Sequence, residues 1–406
     1  MTTGFALPPR LVTVPDDTGR AGHCILITGA TGSLGSHMVA HYANLATVSS
    51  VICLNRRNKA SGLDPLSRQL TSLTSRALTL PPEAATKLSV FEVDITKPHF
   101  GLPSPTFNSL VSSVTHIVHN AWPMNAKQPF PAFTSQFRVL RNLIDLAALI
   151  SAHHPSSSKS KVGFQFISSI AVVGHYPLHE NTPHVPEQRV TIEHVLPNGY
   201  GDAKFVCERM LDLTLAQHPS QFSVMAVRLG QVAGSSTSGY WNENEHLPFL
   251  LKSSQTLRVL PRFDGPLSWT PVDDVAGVCE DLALGELIEG GIYHIDNPVR
   301  QPWSKMLPLL AEELGIPGSN IAPFDEWIRC VRSFPSTGAA GKEDLNPAKR
   351  LVDFLETDFL RMSCGGVLMG TERCRHDSEV MRNVGPVDDD TVRRFVRSWR
   401  DRGFLV

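Results

Sequence analysis

The chain has 406 residues, of which 42% are hydrophobic and 19% are charged, and its formal net charge at pH 7 is −2. This composition is typical of a globular enzyme, and the near-neutral charge excludes a strongly basic surface, so we expect no nucleic-acid partner. No run of about 18 apolar residues occurs, and we therefore expect a cytoplasmic protein without a membrane partner.

Seven cysteines are scattered along the chain without a CxxC pair, as expected in a reducing compartment. The closest approach to a metal-ligand cluster combines Cys364, Cys374 and His376, and we predict no metal site there. Residues 1–22 lack the charged-then-apolar order of a signal peptide and are predicted to be an N-terminal tail or a linker between domains.

Short β-branched apolar runs alternate with segments of helical period from residue 24 onward. Seven of these runs are predicted strands: 24–28, 51–54, 88–93, 116–120, 163–168, 223–229 and 292–295. Within residues 137–150, one helical face carries the apolar side chains Val139, Leu140, Leu143, Ile144 and Ala147. Such alternation predicts a parallel sheet with crossover helices.

The strand pattern stops near residue 300, after which 302–316 and 391–405 are predicted helices. Segment 153–161 is a predicted surface loop, and segment 333–347 is predicted to be a mobile loop within the helical C-terminal part. We therefore predict an α/β fold, with a Rossmann-type doubly wound parallel sheet and a smaller, mostly helical C-terminal subdomain. The larger domain is predicted over 23–240, with 267–300 returning to it, and the subdomain over 241–266 and 301–406.

The sequence ILITGATGSLG places three glycines between the first predicted strand and the helix that follows. Glycine permits a tight turn and a close approach of the backbone to a pyrophosphate, which the free N–H groups at a helix N-terminus stabilise. The spacing is GxxGxxG instead of GxGxxG, and a turn that needs glycine only for flexibility is the alternative. The residues predicted to contact a dinucleotide share this loop: Gly29, Thr31, Gly32, Ser33, Leu34 and Gly35.

An NAD site carries an acidic residue about twenty positions further on, where it binds the ribose 2′-hydroxyl. Here the sequence is LNRRN, which offers Arg56 and Arg57 and no carboxylate. Guanidinium groups bind a dianionic phosphate in a bidentate manner, so we predict that these arginines hold the 2′-phosphate of NADPH.

Two further strand ends are predicted to contact the cofactor. Asp94 and Ile95 follow the third predicted strand and should lie beside the adenine, whereas Asn120 and Ala121 follow the fourth and should lie beside the ribose. Each assignment depends on position, because ligands of open α/β sheets bind at the carboxyl ends of the strands.

Tyr200 is the only one of the five tyrosines with a lysine, Lys204, four residues later. On a helix both side chains share one face, and a fixed ammonium there would lower the pKa of the phenol by favouring phenolate. A chance pair on a helix surface is the alternative, but this pair follows the fifth predicted strand, which ends in FISSIAVVG. We prefer Ser169 to Ser168 as the hydroxyl in the same cleft, and a shift of one residue in strand register would exchange them.

TGATGSLG, the serine pair and YGDAK together resemble an extended short-chain dehydrogenase/reductase. More particular stretches are HNAWPMN (119–125), GYGDAKFVCERML (199–211), VRLGQVAGSSTSGYWNENEHLP (227–248), SWTPVDDVAG (268–277) and YHIDNP (293–298). They are similar to the terminal thioester reductase domains of fungal adenylate-forming reductases and of nonribosomal peptide and polyketide synthases, which are related to carboxylic acid reductases. The chain departs from this family at Ser169, where many relatives have threonine, and at Ala203, where a serine is usual.

This resemblance implies that Ser169, Tyr200 and Lys204 form a catalytic triad and that the smaller subdomain binds substrate. The implied partner is an acyl or peptidyl carrier domain whose phosphopantetheine arm bears an acyl thioester. The implied reaction is hydride transfer from NADPH, which releases an aldehyde, or an alcohol after a second cycle. The domain is expected to be monomeric, and its substrate channel is expected near residues 239–261, where Trp241 and Phe249 either pack the acyl chain or belong to the core.

Two alternatives stay open. A free-standing ketoreductase or a sugar-nucleotide epimerase would use the same fold and the same triad. A catalytically silent NADP-binding regulator is the other, although such proteins usually lose the tyrosine or the lysine that this chain keeps. No adenylation or carrier module fits within 406 residues, so we expect an excised C-terminal domain or a stand-alone partner.

Overall fold

A parallel sheet of seven strands forms the centre of the molecule. The computed structural model describes residues 2–9, 22–58, 60, 62–124, 127–153, 161–285, 291–334 and 345–406. The strands are β1 (His23–Thr28), β2 (Val48–Arg56), β3 (Leu88–Val93), β4 (His116–His119), β5 (Val162–Ser169), β6 (Phe222–Leu229) and β7 (Gly291–Ile295). All seven predicted strands are confirmed, and only β2 extends more than one residue beyond its predicted bounds.

The strand order β7-β6-β5-β4-β1-β2-β3 identifies the sheet as doubly wound. From β1 the chain proceeds outward to β2 and β3, and it then returns to place β4, β5, β6 and β7 on the other side. The direction of winding therefore reverses between β1 and β4, and the carboxyl ends of these two strands border the crevice in which such sheets bind ligands.

In the described part of the chain, ten helices of at least ten residues cover the sheet and form the C-terminal region. They are α1 (Ser33–Asn44), α2 (Pro65–Thr74), α3 (Ser104–Ser113), α4 (Thr134–His153), α5 (Gly199–Asp212), α6 (His246–Leu257), α7 (Val272–Leu284), α8 (Trp303–Glu313), α9 (Phe324–Ser333) and α10 (Asp389–Asp401). The predicted helices at 137–150, 302–316 and 391–405 correspond to α4, α8 and α10 and are confirmed.

Shorter elements connect these helices and strands. The short helical segments are Pro82–Ala85, Pro98–Gly101, Phe130–Phe133, Ile170–Val173, Tyr176–Glu180, Ile192–His194, Leu215–Gln217, Pro347–Leu351, Val352–Phe354, Leu355–Phe359, Leu360–Ser363, Glu372–Asp377 and Glu379–Asn383. Three short strand pairs are parallel: His184–Val185 with Leu368–Met369, Val232–Ala233 with Thr270–Pro271, and Leu260–Arg262 with Ile321–Pro323. One pair is antiparallel, Pro266–Leu267 with Gln301–Pro302. Strand structure thus continues beyond residue 300, contrary to expectation, because runs of two or three residues are too short to show a period.

Helices bury both faces of the sheet, and successive strand residues point to opposite faces, so that neighbours in one strand join different cores. Leu26 and Ile52 join a core with α3, α4 and α5, whereas Ile25 and Ile27 join a core with α1 and α7 on the other face. The predicted apolar face of α4 is buried in the first of these cores. Parallel strands covered on both sides give the continuous apolar runs from which the sheet was predicted.

A third core gathers most of the tryptophans and lies outside the sheet. Five tryptophans are buried in it: Trp241, Trp269, Trp303, Trp327 and Trp399. The helix α10 buries Val392, Phe395, Val396 and Trp399 in this core, and its N-terminus is capped by the Asp388 side chain, which accepts a hydrogen bond from the Thr391 N–H. This core draws on both 233–269 and 303–405, segments that are far apart in sequence.

The N-terminal segment is described only in part. Phe5 and Leu7 pack against the core that contains α4, so residues 2–9 lie on the body of the molecule. Residues 10–21 of the predicted tail, 154–160 of the first predicted loop and 335–344 of the second lie outside the described residues. In the described ranges, no helix combines the length and the apolarity needed to cross a bilayer.

Candidate active site

The glycine loop joins β1 to α1 at the edge of the sheet where the winding reverses. Gly29 has φ +74, and a Cβ placed there would lie 2.8 Å from the backbone of Ala121. A Cβ on Gly35 would lie only 2.0 Å from the carbonyl oxygen of Gly29. Glycine is therefore required by the close packing of the turn itself, beyond simple flexibility.

The N-terminus of α1 is open to an anion. Gly32 occupies the N-cap position, makes no side-chain cap and is followed by no acidic residue in the first turn. The first N–H groups of a helix have no partner within the helix and carry a partial positive charge. The loop residues Ser33, Leu34 and Gly35 thus fit the pyrophosphate of a dinucleotide.

Arg76 supports this turn and was not predicted as a site residue. Its Nη2 donates to the carbonyl oxygen of Thr31 at 3.0 Å, and its Nη1 donates to the carbonyl oxygen of Ser72 at 2.6 Å. Ser72 Oγ donates to the same Thr31 oxygen at 3.0 Å. Arg76 and Thr31 are 45 positions apart, so no local sequence pattern predicts this contact.

Arg56 and Arg57 stand at the end of β2, beside the turn. Thr28 and Leu54 are paired in the sheet, so Arg56 lies two residues beyond the level at which β1 ends. Both arginines are exposed, and within the described part of the chain neither forms an ion pair. Their guanidinium groups are therefore accessible to a phosphate.

The predicted ribose and adenine contacts differ in their distance from the turn. Asn120 Nδ2 donates to the Gly29 carbonyl at 3.3 Å, and the Ala121 N–H donates to Thr28 Oγ1 at 3.1 Å, so these two residues adjoin the turn. Asp94 and Ile95 follow β3, two strands from β1. Hydrogen bonds from Thr96 lower the pKa of Asp94, which keeps a carboxylate at this end of the strand.

The two serines at the end of β5 point in opposite directions. Ser168 is buried and donates to Glu208 Oε1 at 2.6 Å. Ser169 is partly exposed, accepts the Ala171 N–H at 3.2 Å and lies close enough to the Tyr200 side chain to lower the pKa of the phenol. The register of β5 thus brings Ser169, and not Ser168, to the tyrosine.

Tyr200 and Lys204 lie in the first turns of α5, whose N-terminus is capped by Asn198 Oδ1 through the Gly201 N–H at 2.8 Å. Burial raises the pKa of Tyr200, and the hydrogen bond with Ser169 acts in the opposite direction. Lys204 Nζ lies 5.9 Å from the centre of the tyrosine ring and is directed elsewhere. The expectation that this ammonium lowers the pKa of the phenol is therefore wrong for this geometry, because burial raises that pKa and the ammonium donates to Ile167.

The ammonium of Lys204 is held by a carbonyl and by aromatic faces. Its Nζ donates to the Ile167 carbonyl at 2.6 Å and lies 4.0 Å from the centre of the Trp122 ring and 4.8 Å from that of Phe166. Lys204 is only 2% exposed. Burial lowers its pKa to about 7, against the raising effects of Cys207 and Glu208.

Trp122 is a second residue that the sequence did not single out, although it lies in the stretch HNAWPMN. Its ring stands edge-to-face on Tyr200, with centroids 6.4 Å apart, and stacks on Phe133 at 5.9 Å. Trp122 therefore contacts both members of the Tyr-Lys pair. Its position three residues after β4 is the only signal that could have identified it.

The remaining candidates do not join this site. Trp241 is buried among Trp269, Phe395 and Trp399 and donates to Glu245, so it packs the core instead of a channel. Phe249 is buried as well. Across the described segments, no three His, Cys, Asp or Glu side chains are arranged to hold a metal ion.

A protein-family model described as male sterility protein matches residues 27–279. Over 404 residues, the chain is 55% identical to the non-reducing polyketide synthase pks11 of Talaromyces marneffei, a match that covers 100% of this chain and 15% of that protein. It is 50% identical over 385 residues to the 3-methylorcinaldehyde synthase tropA of Talaromyces stipitatus, with 95% of this chain and 14% of that protein covered. The chain thus spans about 15% of the length of the curated relatives that it matches.

A solved structure has the same fold. The terminal R domain from the myxalamid PKS-NRPS biosynthetic pathway superposes with a TM-score of 0.76 and 23% identity, over 99% of this chain and 94% of that one. The likeness extends over the parallel sheet and the helical C-terminal region, as the predicted fold class requires.

Proposed function

We propose that this chain, which belongs to the NAD(P)-binding family described as male sterility protein, releases a carrier-bound acyl thioester of a polyketide synthase as an aldehyde. The single observation that carries this proposal is that Lys204 ties the helix of Tyr200 to β5, whose last residue is Ser169. Ser169 stands at the same sheet edge as the open N-terminus of α1, and Lys204 lies one helical turn from Tyr200. The relative named 3-methylorcinaldehyde synthase supports an aldehyde as product.

The cofactor of this reaction is NADPH in our proposal. The uncapped glycine turn fits a pyrophosphate, and the exposed guanidinium groups of Arg56 and Arg57 fit the additional 2′-phosphate. Asn120 and Ala121 at the turn, and Asp94 and Ile95 further along the edge, are proposed to line the nucleoside. NADPH supplies the hydride when it is bound there.

Ser169 and Tyr200 are proposed to bind the thioester carbonyl oxygen. Two hydroxyl donors stabilise the negative charge that develops there, and losing one such donor typically costs about 3 kcal/mol of barrier. Burial favours the protonated form of Tyr200, which suits a proton donor. Lys204 is held against Ile167 and Trp122, which fixes the position of its Nζ one helical turn from Tyr200.

The balance of the reaction is simple. One thioester, one NADPH and one proton give one aldehyde, one thiol and one NADP⁺. Hydride forms the new C–H bond, and Tyr200 gives its proton to the carbonyl oxygen. The C–S bond of the resulting hemithioacetal then breaks, its electron pair leaves with the sulfur, and the hydroxyl proton passes to the thiolate. Reduction of the aldehyde to an alcohol would need a second NADPH.

The proposed partner is an acyl carrier domain that presents the thioester on a phosphopantetheine arm, because the matched relatives are polyketide synthases of which this chain spans a small part. We also propose the division into an NADP-binding domain (23–240 and 267–300) and a substrate-binding subdomain (241–266 and 301–406). The tryptophan-rich core outside the sheet supports this division.

The proposal is tested by following NADPH oxidation with a panel of acyl-pantetheine thioesters and by separating aldehyde from alcohol by mass. We expect oxidation that is stoichiometric with aldehyde, and a loss of about 10²-fold in kcat for Ser169→Ala. Ser49→Ala, an exposed serine at the opposite end of the sheet, is the matched control. Turnover of simple ketones or UDP-sugars without turnover of thioesters would favour the ketoreductase or epimerase instead.

A further inference from the structure

A buried ion pair lies directly behind the Ser169–Tyr200 site. Glu208 of α5 faces Arg228 of β6, with 3.0 Å from Nε to Oε1 and 2.7 Å from Nη2 to Oε2. Ser168 Oγ donates to the same Oε1 at 2.6 Å. Glu208 is 5% exposed and Arg228 is fully buried. This bidentate pair therefore joins α5 to two strands of the sheet in a region of low dielectric.

Other polar groups surround the pair. Arg228 Nη1 donates to the Gln188 carbonyl at 3.0 Å and lies 3.4 Å from His294 Nε2. Burial, together with Arg228, lowers the pKa of His294 to about 3, so this ring is neutral around pH 7. Burial raises the pKa of Cys207, on the same helix, to about 12, so its thiol is neutral as well.

Two further charges border Glu208 on its outer side. Arg189 and Asp212 line a small cavity beside it and pair with each other at 2.8 Å. Lys204 precedes Glu208 by four residues on α5, which places both side chains on one helical face. The Glu208 carboxylate raises the pKa of Lys204, against the larger lowering effect of burial, because a negative charge favours the ammonium form. It raises the pKa of Cys207 as well.

Resting on the function proposed above, we propose that Glu208 is a positioning residue of this active site. Together with Arg228 and Ser168, it holds α5 against β5. The face of α5 that carries Tyr200 and Lys204 is thereby fixed at the end of β5 that carries Ser169. Ser168 and Ser169 are neighbours in one strand, and Lys204 and Glu208 are neighbours on one helix. A shift of the helix along the strand would break the Ser168 and Arg228 contacts and the Ser169–Tyr200 contact together. The same carboxylate also helps to keep Lys204 charged.

The test removes both charges together, since a single substitution leaves an unpaired buried ion that can prevent folding. We would compare E208Q/R228M with the wild type, with E208D, which keeps the charge, and with S168A, which removes only one hydrogen bond. The measurements are the pH dependence of kcat with an acyl-pantetheine thioester, the Tm, and the ¹³Cε titration of Lys204 in lysine-labelled protein, assigned by comparison with K204M.

We expect E208Q/R228M to lower kcat about 10-fold and to move the Lys204 midpoint, and with it the alkaline limb of kcat, downward by about half a pH unit or more. E208D, which keeps the carboxylate, and S168A should both have the wild-type midpoint for Lys204. If E208Q/R228M keeps the wild-type Lys204 midpoint and kcat and only its Tm is lower, the ion pair stabilises the fold and does not position the active site. A wild type that does not reduce thioesters would refute the proposed function, whereas the ¹³C titration would still decide whether Glu208 acts on Lys204.

Discussion

The ammonium of Lys204 donates to the backbone carbonyl of Ile167 at 2.6 Å, two residues before Ser169 in the same strand. This bond ties the helix that carries Tyr200 to the strand that carries its hydroxyl partner. It also directs the ammonium away from the phenol and into a cage formed by Trp122 and Phe166. Charge, aromatic packing and strand register are therefore coupled at this site.

Replacing the phenol tests the proton donor. Tyr200→Phe should lower kcat by roughly 10² to 10⁴, because no other donor replaces the phenolic proton, and should leave NADPH affinity nearly unchanged. Kinetics with a thioester substrate and NADPH binding by fluorescence would check both expectations. Tyr240→Phe, at a ring flanked by Arg76 and Arg402, is a control that keeps the ring. Unchanged turnover in Tyr200→Phe would remove this residue from the chemistry.

The buried lysine should make stability depend on pH. Its pKa is about 7 in the folded protein and near the ordinary lysine value of about 10.4 in the unfolded chain, so the unfolded chain binds more protons between these values. The cost of burying Lys204 is thus complete below about pH 7 and fades as the pH rises toward 10. Lys204→Met should raise Tm more at pH 6 than at pH 9. An equal change at both values would contradict a neutralised lysine.

Trp122 should matter through its ring face. Lys204 lies over this ring, and a cation–π contact of a desolvated ammonium is worth about 1 to 2 kcal/mol. Trp122→Leu should therefore lower kcat about 5- to 30-fold, whereas Trp122→Phe, which keeps an aromatic face, should recover most of the activity. Equal activities of the two variants would show that bulk, and not the π face, supports the lysine.

Arg56 should decide between the two nicotinamide cofactors. Arg56→Ala removes a guanidinium from the proposed 2′-phosphate site. This variant should have a KM for NADPH that is about 10-fold or more higher and a KM for NADH that is nearly unchanged. Arg329→Ala, at an exposed arginine of α9, is the matched control. Equal use of both cofactors by the unaltered protein would refute the assignment of Arg56 and Arg57.

Gly35 and Gly318 form a matched pair for the turn. A Cβ on Gly35 would meet the Gly29 carbonyl oxygen at 2.0 Å, whereas a Cβ on Gly318 meets no atom within 4 Å. Gly35→Ala should weaken NADPH binding at least 10-fold and lower Tm, because the backbone of the turn must move. Gly318→Ala should change neither quantity appreciably. Binding by titration calorimetry and thermal melts would distinguish the two variants.

Much of the fold was predictable because its signals are local. Apolar β-branched runs gave the seven strands, and helical period gave α4, α8 and α10, since burial of a strand or a helix face dictates which residue types occur at a fixed spacing. The glycine turn and the spacing of Tyr200 and Lys204 were visible for the same reason. The short strand Ile321–Pro323 was missed, because three residues carry no period.

The sequence by itself determined the elements and the residue types that they bring to the carboxyl edge of the sheet. Only the tertiary structure decided that Ser169 faces Tyr200 while Ser168 faces Glu208, that Arg76 supports the turn, and that Trp122 holds Lys204. It also reversed the expected effect on the phenol, because burial raises the pKa of Tyr200 and the Lys204 ammonium points to Ile167 instead. The physical reason is that desolvation and long-range hydrogen bonds depend on which distant segments pack together, and spacing along a chain carries no record of that packing.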